Sequence, residues 1–181
     1  SVTALNNGSS IETSMGFSPS GGIMMGTRSG DIDPGVVRYL LETGELNALE
    51  LDKILSEESG LLGISGTSAH MRDLLDMKET DTNANNAIES FCHAVVKQIG
   101  AYTAVLGGLD TLVFSGGIGE QSPAIRERIA SQFSYLDLKL DQGRNEGSEV
   151  FIATDTSSVG VYALPTNEAR IMARITKDVL V

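Results

Sequence analysis

A mixed α/β domain, one sheet flanked by helices, is the fold class predicted by three features of this chain. Its start reads as a β-hairpin, its middle has helical period, and its end runs twice from strand to helix. Strands and helices alternating in this way pack as layers over a shared sheet. The 181 residues suit one domain at roughly 150 residues per domain. No composition shift, fixed-period repeat or low-complexity segment marks an internal boundary, so the reading takes 1–181 as a single unit.

Each element has its own justification. Ser1 to Leu5 and Ser10 to Ser14 flank Asn6-Asn7-Gly8, and Asn-Gly supplies the positive-φ positions of a tight hairpin turn. From Gly16 to Gly30 glycine and proline are too frequent for a helix, which predicts a shaped loop. Asp33-Pro34 then caps a helix over about 34–43, with Val36, Val37, Leu40 and Leu41 on one face and Gly44 at its end. Asn47 with Glu50 reads as a capping box for a second helix carrying Leu51, Ile54 and Leu55, stopped by Gly60. After the apolar run 61–64, Ser68 caps a third short helix with Met71, Leu74 and Leu75.

The strongest period in the chain runs through Ala87, Ile88, Phe91, Ala94, Val95, Gln98, Ile99, Tyr102, Val105 and Leu106, predicting a long helix over 83–106. Thr111 to Phe114 reads as a buried strand, followed by a glycine bend at 115–119 and a helix opening at Ser122-Pro123 with Ile125 and Ile129. The stretch 141–149 reads as an exposed loop. Val159 to Leu164 is strand-like, Pro165 ends it, and Asn167 caps a last helix with Ile171, Met172, Ile175 and Val179 on one face.

Composition excludes several functions. Thirteen Lys and Arg against twenty-four Asp and Glu leave a net charge of −11 at pH 7, the opposite of the basic footprint that nucleic acid selects. An anionic ligand must therefore be held by local groups against the field of the whole molecule. The lone Cys92 makes no internal disulfide, and no apolar run is long enough to span a membrane or serve as a secretory signal. A cytoplasmic location is predicted. Ser1 is not Met and opens inside a strand, so the chain reads as a fragment or a processed product.

Three places carry candidate chemistry. FSGGIGEQSP sets glycines where a strand passes into a helix, which lets backbone approach an anion or nucleotide closely. It matches neither GxGxxG nor GxxxxGK[ST], and a plain tight βα turn explains it equally well. Arg28, in GTRSGD, offers the planar donor fork that matches a transferring phosphoryl group, or else a loop ion pair to Asp31 or Asp33. Glu168 is placed to hold Mg²⁺ directly or through water, or simply to favour a helix start. His70 and Arg72 line a ligand edge or a solvated helix start, while His93 reads as structural or surface. The Cys and the two His do not make a zinc site.

Taken together, ETSMGFSPSGGIMMGTRSGDIDPG, ESGLLGISGTSAHMRDL, DTLVFSGGIGEQSPAIRERI and LPTNEARIMARI resemble, in order and spacing, the carboxyl-terminal half of the acetate kinase family. The resemblance covers essentially the whole chain. It implies the fold of the acetate and sugar kinase, Hsp70 and actin superfamily: two RNase H-like domains with ATP in the cleft between them, and Mg²⁺-assisted, reversible transfer of the γ-phosphoryl group to a short carboxylate.

By that resemblance Arg28 holds the carboxylate and the transferring group. Gly117, Ile118, Gly119, Glu120 and Gln121 form the loop against the adenosine of ATP or ADP, His70, Met71 and Arg72 touch the nucleotide, and Glu168 is the magnesium-associated carboxylate. Family members commonly carry Asp in place of His70 and Asn in place of Gln121. The amino-terminal domain would lie before Ser1, and Asn7-Gly8 belong to the hairpin turn, not to that domain's phosphate loop. The resemblance therefore implies half an active site, little turnover by 1–181 alone, and a homodimer through this domain with helix 83–106 as a candidate contact. A propionate or butyrate kinase shares these motifs, and a non-catalytic nucleotide-binding or assembly module remains the rival of a different class.

Overall fold

The computed structural model describes residues 1–180, with the backbone alone at Glu168. Where the sequence is drawn as one domain, the contacts within the chain gather into two compact units, Ser1–Gly108 and Leu109–Val181.

The first unit opens with strands β1 (Thr3–Asn6) and β2 (Ser9–Thr13), antiparallel, with Asn6 opposite Ser9. The expected turn is present, with Asn7 and Gly8 at φ 51° and 80°. Ala4 is buried where β1 rests on helix α5 (Thr82–Leu106), whereas β2 is exposed throughout. An irregular loop leads to α1 (Pro34–Glu42), capped by the Asp33 carboxylate, which accepts from the Gly35 N–H at 2.7 Å. The apolar face expected of α1 is not buried in this chain.

Helix α2 (Ala48–Glu57) carries the full Asn47–Glu50 capping box and buries Leu51. It ends before Gly60, which instead opens an unexpected helix, α3 (Gly60–Ser65). The run Leu61-Leu62-Gly63-Ile64 is too short for periodicity to separate helix from strand. Its conformation is set by packing on α5, together with α4 (Met71–Met77). Asp81 caps α5 by accepting from the N–H groups of Asn83 and Ala84, and Gly107 ends it at φ 75°. Ala84, Ala87, Ile88, Phe91, Cys92, Val95, Ile99 and Tyr102 form its buried stripe, while Val105 falls off it. Each large aliphatic or aromatic side chain so buried contributes about 1.5–3 kcal/mol.

The second unit is built on β3 (Thr111–Phe114) and β4 (Gly160–Ala163), parallel and in register from Thr111–Gly160 to Phe114–Ala163. Between them lie α6 (Gly116–Gln121), α7 (Pro123–Ala130), a 3₁₀ turn (Ser131–Leu136) and α8 (Gln142–Glu146). The bend predicted at 115–119 is thus itself a short helix. Stretch 141–149 is not merely a loop: Asp141 caps α8, and Asn145 is buried because it partners Arg126. Residues 150–153 run antiparallel along β4, with Ile152 N–H donating to the Val161 carbonyl. Leu112, Phe114, Ile125, Ile129, Phe133, Ile152 and Val161 fill the core. The last helix, α9 (Glu168–Leu180), is capped by Asn167, whose Oδ1 accepts from the Arg170 N–H at 3.0 Å.

No helix of the described residues is long and apolar enough to cross a membrane.

Candidate active site

Arg28 lies in the first unit on a loop that is closed at its base and pinned from one side. Gly22 N–H donates to Asp31 Oδ1 at 2.6 Å, and Asp31 N–H returns a bond to the Gly22 carbonyl at 2.8 Å. Gly22 and Gly30 take φ 85° and 73° at these crossing points. Asp31 is therefore engaged with backbone and Asp33 with the α1 cap, which removes both expected ion-pair partners of Arg28. The guanidinium Nη1 meets only the Pro19 carbonyl at 3.3 Å and the Met25 sulfur at 3.7 Å. Among the described residues no carboxylate pairs with it.

The backbone around Arg28 is held by the α2–α3 junction. The N–H groups of Ser59, Leu61 and Leu62 donate to the carbonyls of Thr27, Met25 and Gly26, each at 2.9 Å, and Ser29 N–H donates to the Leu55 carbonyl at 2.9 Å. The free amides at the start of α3 thus find partners in the loop. Gly60 sits at φ 62°, where an added Cβ would lie 2.7 Å from the Arg28 carbonyl and closer still to that of Met25. No other residue fits this approach.

The segment His70 to Arg72 adjoins the same loop, since a Cβ on Gly26 would stand 2.8 Å from the Ala69 carbonyl. His70 and Arg72 are exposed, and the His70 N–H donates to Ser68 Oγ, which in turn donates to Asp73 at 2.7 Å. Met71 is 5% exposed and points into the core. Any part it has toward a ligand is limited to its backbone.

In the second unit, β3 and β4 run parallel, so Ser115 and Leu164 leave the pair at the same end. Ligands of open α/β sheets bind outside such carboxyl ends. Gly117 is exposed with open space about its missing side chain, whereas a Cβ on Gly119 would lie 3.3 Å from Phe114. Ile118 is half-buried and Gln121 exposed. Glu120 behaves differently: its Oε1 accepts from Gly116 N–H at 2.9 Å, Thr166 N–H at 2.8 Å and Thr166 Oγ1 at 2.9 Å. These bonds, the Thr166 amide foremost, hold the carboxyl below its usual range.

The residue that sequence reasoning missed is Arg126. It is 0% exposed and has no carboxylate partner among the described residues; burial pushes its pKa down. Its guanidinium donates to the Gly119, Glu120 and Asn145 carbonyls at 2.9, 2.8 and 2.6 Å, to Asn145 Oδ1 at 2.7 Å and to Ser148 Oγ at 3.1 Å. Asn145 completes the set by donating to the Pro123 carbonyl at 3.0 Å. The end of the glycine helix is therefore fastened to α8. A signal existed, because Arg126 shares the buried stripe of Ile125, Ile129 and Ala130.

The side chain of Glu168 lies outside the described residues. Among those described, no three His, Cys, Asp or Glu side chains are grouped to hold a metal ion. Magnesium needs only one or two protein carboxylates when nucleotide phosphates and water complete its octahedron, so a single glutamate is a sufficient donor of the right kind.

Comparison with known proteins identifies the family of the chain. The model of the Acetokinase family matches residues 1–174. An acetate kinase of Clostridium novyi is 45% identical over 183 aligned positions, which take in 99% of this chain and 46% of that protein. The structure of Porphyromonas gingivalis acetate kinase superposes with a TM-score of 0.90 at 36% identity, over 99% of this chain and 46% of the other. A propionate kinase from Francisella tularensis superposes at 0.86 with 40% identity, over 92% and 43% of the two chains. The chain spans about half the length of the curated relatives it matches. Its fold class is that of the acetate and sugar kinase, Hsp70 and actin superfamily. Within that class, the chain belongs to the acetokinase family.

Proposed function

We propose that this chain supplies the nucleotide-binding half of a phosphotransferase catalysing ATP + acetate ⇌ ADP + acetyl phosphate. The observation that carries the reading is Arg28: a guanidinium with no carboxylate partner among the described residues, on a loop whose backbone is fixed at five successive residues. A cation so held against an overall charge of −11 is kept for an anion. In the forward direction a carboxylate oxygen attacks the γ-phosphorus in line, the bond to the β-bridging oxygen breaks, and ADP leaves. Arg28 orients the carboxylate and stabilises charge on the equatorial oxygens. The backbone of Gly117, Ile118 and Gly119, with Gln121, takes the adenosine side, Glu120 belongs to the same bend with its carboxylate turned to Gly116 and Thr166, and His70, Met71 and Arg72 supply further nucleotide contacts. Glu168 is the proposed carboxylate for Mg²⁺, which when bound neutralises phosphate charge.

The rest of the site is proposed to belong to an amino-terminal domain, and the working enzyme to be a homodimer through this domain, with α5 a candidate contact. The likeness to a propionate kinase favours a second acceptor, propionate. The test is trapping of acyl phosphate with hydroxylamine, offering acetate and propionate in competition. The protein carrying this chain with its amino-terminal half is expected to form acyl phosphate, and residues 1–181 alone little or none. Failure of the longer protein with every short carboxylate would remove the kinase reading in favour of a nucleotide-binding module. Full activity of 1–181 alone would remove the half-site.

A further inference from the structure

Two segments leave the same end of the β3–β4 pair, and one carboxylate joins them. The first is the glycine bend, whose α6 has only six residues and no side-chain cap from Ser115. The second is Pro165-Thr166-Asn167, which leads into α9 and shares no ladder with the bend. We propose that Glu120 is a positioning residue whose carboxylate fastens the bend to the 165–167 segment, so that the nucleotide meets both as one rigid rim.

The geometry supports this role over direct contact with the ligand. Glu120 reaches back one helical turn to the Gly116 N–H and across to both donors of Thr166, a residue 46 positions away. All three bonds converge on Oε1. A carboxylate turned toward a polyanionic nucleotide would repel it, whereas one engaged by three protein donors is held against the fold. Gly116 stands at φ 72° with open space around it. Among the described residues the Glu120 carboxylate is the side-chain acceptor of the Gly116 N–H, which opens α6. Arg126 secures the other end of α6 through the Gly119 and Glu120 carbonyls, leaving the Gly116 end to Glu120. Thr166 is two residues before Glu168 in sequence, so the tie also sets where the proposed metal carboxylate begins.

The ligand in this inference rests on the phosphotransferase reading, but the tie does not. In the full-length enzyme, E120A is expected to raise KM for ATP roughly tenfold, the lower range seen when a supporting hydrogen bond behind a binding group is removed. KM for the carboxylate should move less than about threefold, since its side of the reaction is assigned to Arg28. E120Q keeps an oxygen that accepts the same bonds and should stay within about threefold of wild type in both constants. T166V, which removes only the hydroxyl donor, should raise KM for ATP in the same sense, and E120A/T166V should be no worse than E120A. Peptide-resolved hydrogen exchange should show the Gly116 and Thr166 amides losing protection in E120A.

Unchanged exchange at both amides, or additive effects of E120A and T166V, would overturn the tie. E120Q as impaired as E120A with normal exchange would overturn it in favour of direct ligand contact. Should E120A fail to fold, an unshifted KM for ATP in T166V overturns it equally. If the wild-type enzyme phosphorylates no carboxylate, the functional reading fails by itself, and the exchange comparison still decides the tie.

Discussion

At the scale of single residues, the two arginines Arg28 and Arg126 show how the same side chain is read by its partners. Among the described residues Arg28 has only a carbonyl and a sulfur near its Nη1, so its removal orphans no buried carboxylate there. Arg28→Ala should leave the unfolding free energy within about 0.5 kcal/mol of wild type. In the full-length enzyme it should lower kcat by about 10²- to 10³-fold, the range for losing a charge-stabilising donor. Arg28→Lys should not restore turnover, because an ammonium lacks the planar fork. Steady-state kinetics beside urea unfolding checks both statements, and a stability loss matching the activity loss would assign Arg28 to the fold. Arg126 is the converse. Arg126→Ala strips partners from the buried Asn145 carbonyl and side chain and from the half-buried carbonyls of Gly119 and Glu120, and should cost about 3 kcal/mol or more. Arg28 was legible because glycines isolate it; Arg126 was not, because arginine in a helix ordinarily reads as a solvated position.

Elements were legible where a local rule was strong enough to act without tertiary help. Asn7-Gly8, the Asp33-Pro34 cap and the Asn47–Glu50 box each satisfy themselves within a few residues, and the stripe of α5 repeats its period along the whole helix. Two of the elements misread, α3 and α8, depend on distant partners: loop carbonyls 25–27 for the one, Arg126 for the other. Gly60 is the sharpest instance, read as a helix stop and found as the hinge on which the Arg28 loop rests. Gly60→Ala forces a non-glycine residue to φ 62° and drives its Cβ into the Met25 and Arg28 carbonyls. A cost of at least about 1–2 kcal/mol is expected, beyond the usual penalty of the left-handed region. Because the strain falls on the loop, kcat in the full-length enzyme should drop as well, with KM for ATP nearly unchanged. A stability loss with normal kcat would show that the loop keeps its shape without α3.

At the scale of the whole molecule, the fold class and family were legible because four motifs lie in one order along the chain, whereas the grouping of its contacts into two units was not, since no linker composition marks Gly107-Gly108. The strong negative charge makes a further prediction about acid. Glu120 is held below its ordinary value of 4.5 by Thr166 and Gly116, and Asp137 below 3.8 by Lys139 and Ser158. A carboxylate whose folded pKa is depressed adds stability that is complete above its unfolded value and is lost as pH falls through the folded one. Protection of the second unit should therefore decline from about pH 5 toward pH 3, as followed by hydrogen exchange corrected for intrinsic rates. An opposing effect comes from the net charge of −11, since protonation relieves self-repulsion and favours the compact state. The two separate by salt: at about 1 M the screening length falls to about 3 Å, which suppresses repulsion between surface charges and weakens exposed pairs such as Lys139–Asp137, but leaves the Glu120 bonds to Thr166 at 2.8 and 2.9 Å largely intact. The acid decline should persist in high salt and shrink in E120Q, whose amide does not titrate; a decline abolished by salt would assign it instead to exposed ion pairs such as Lys139–Asp137.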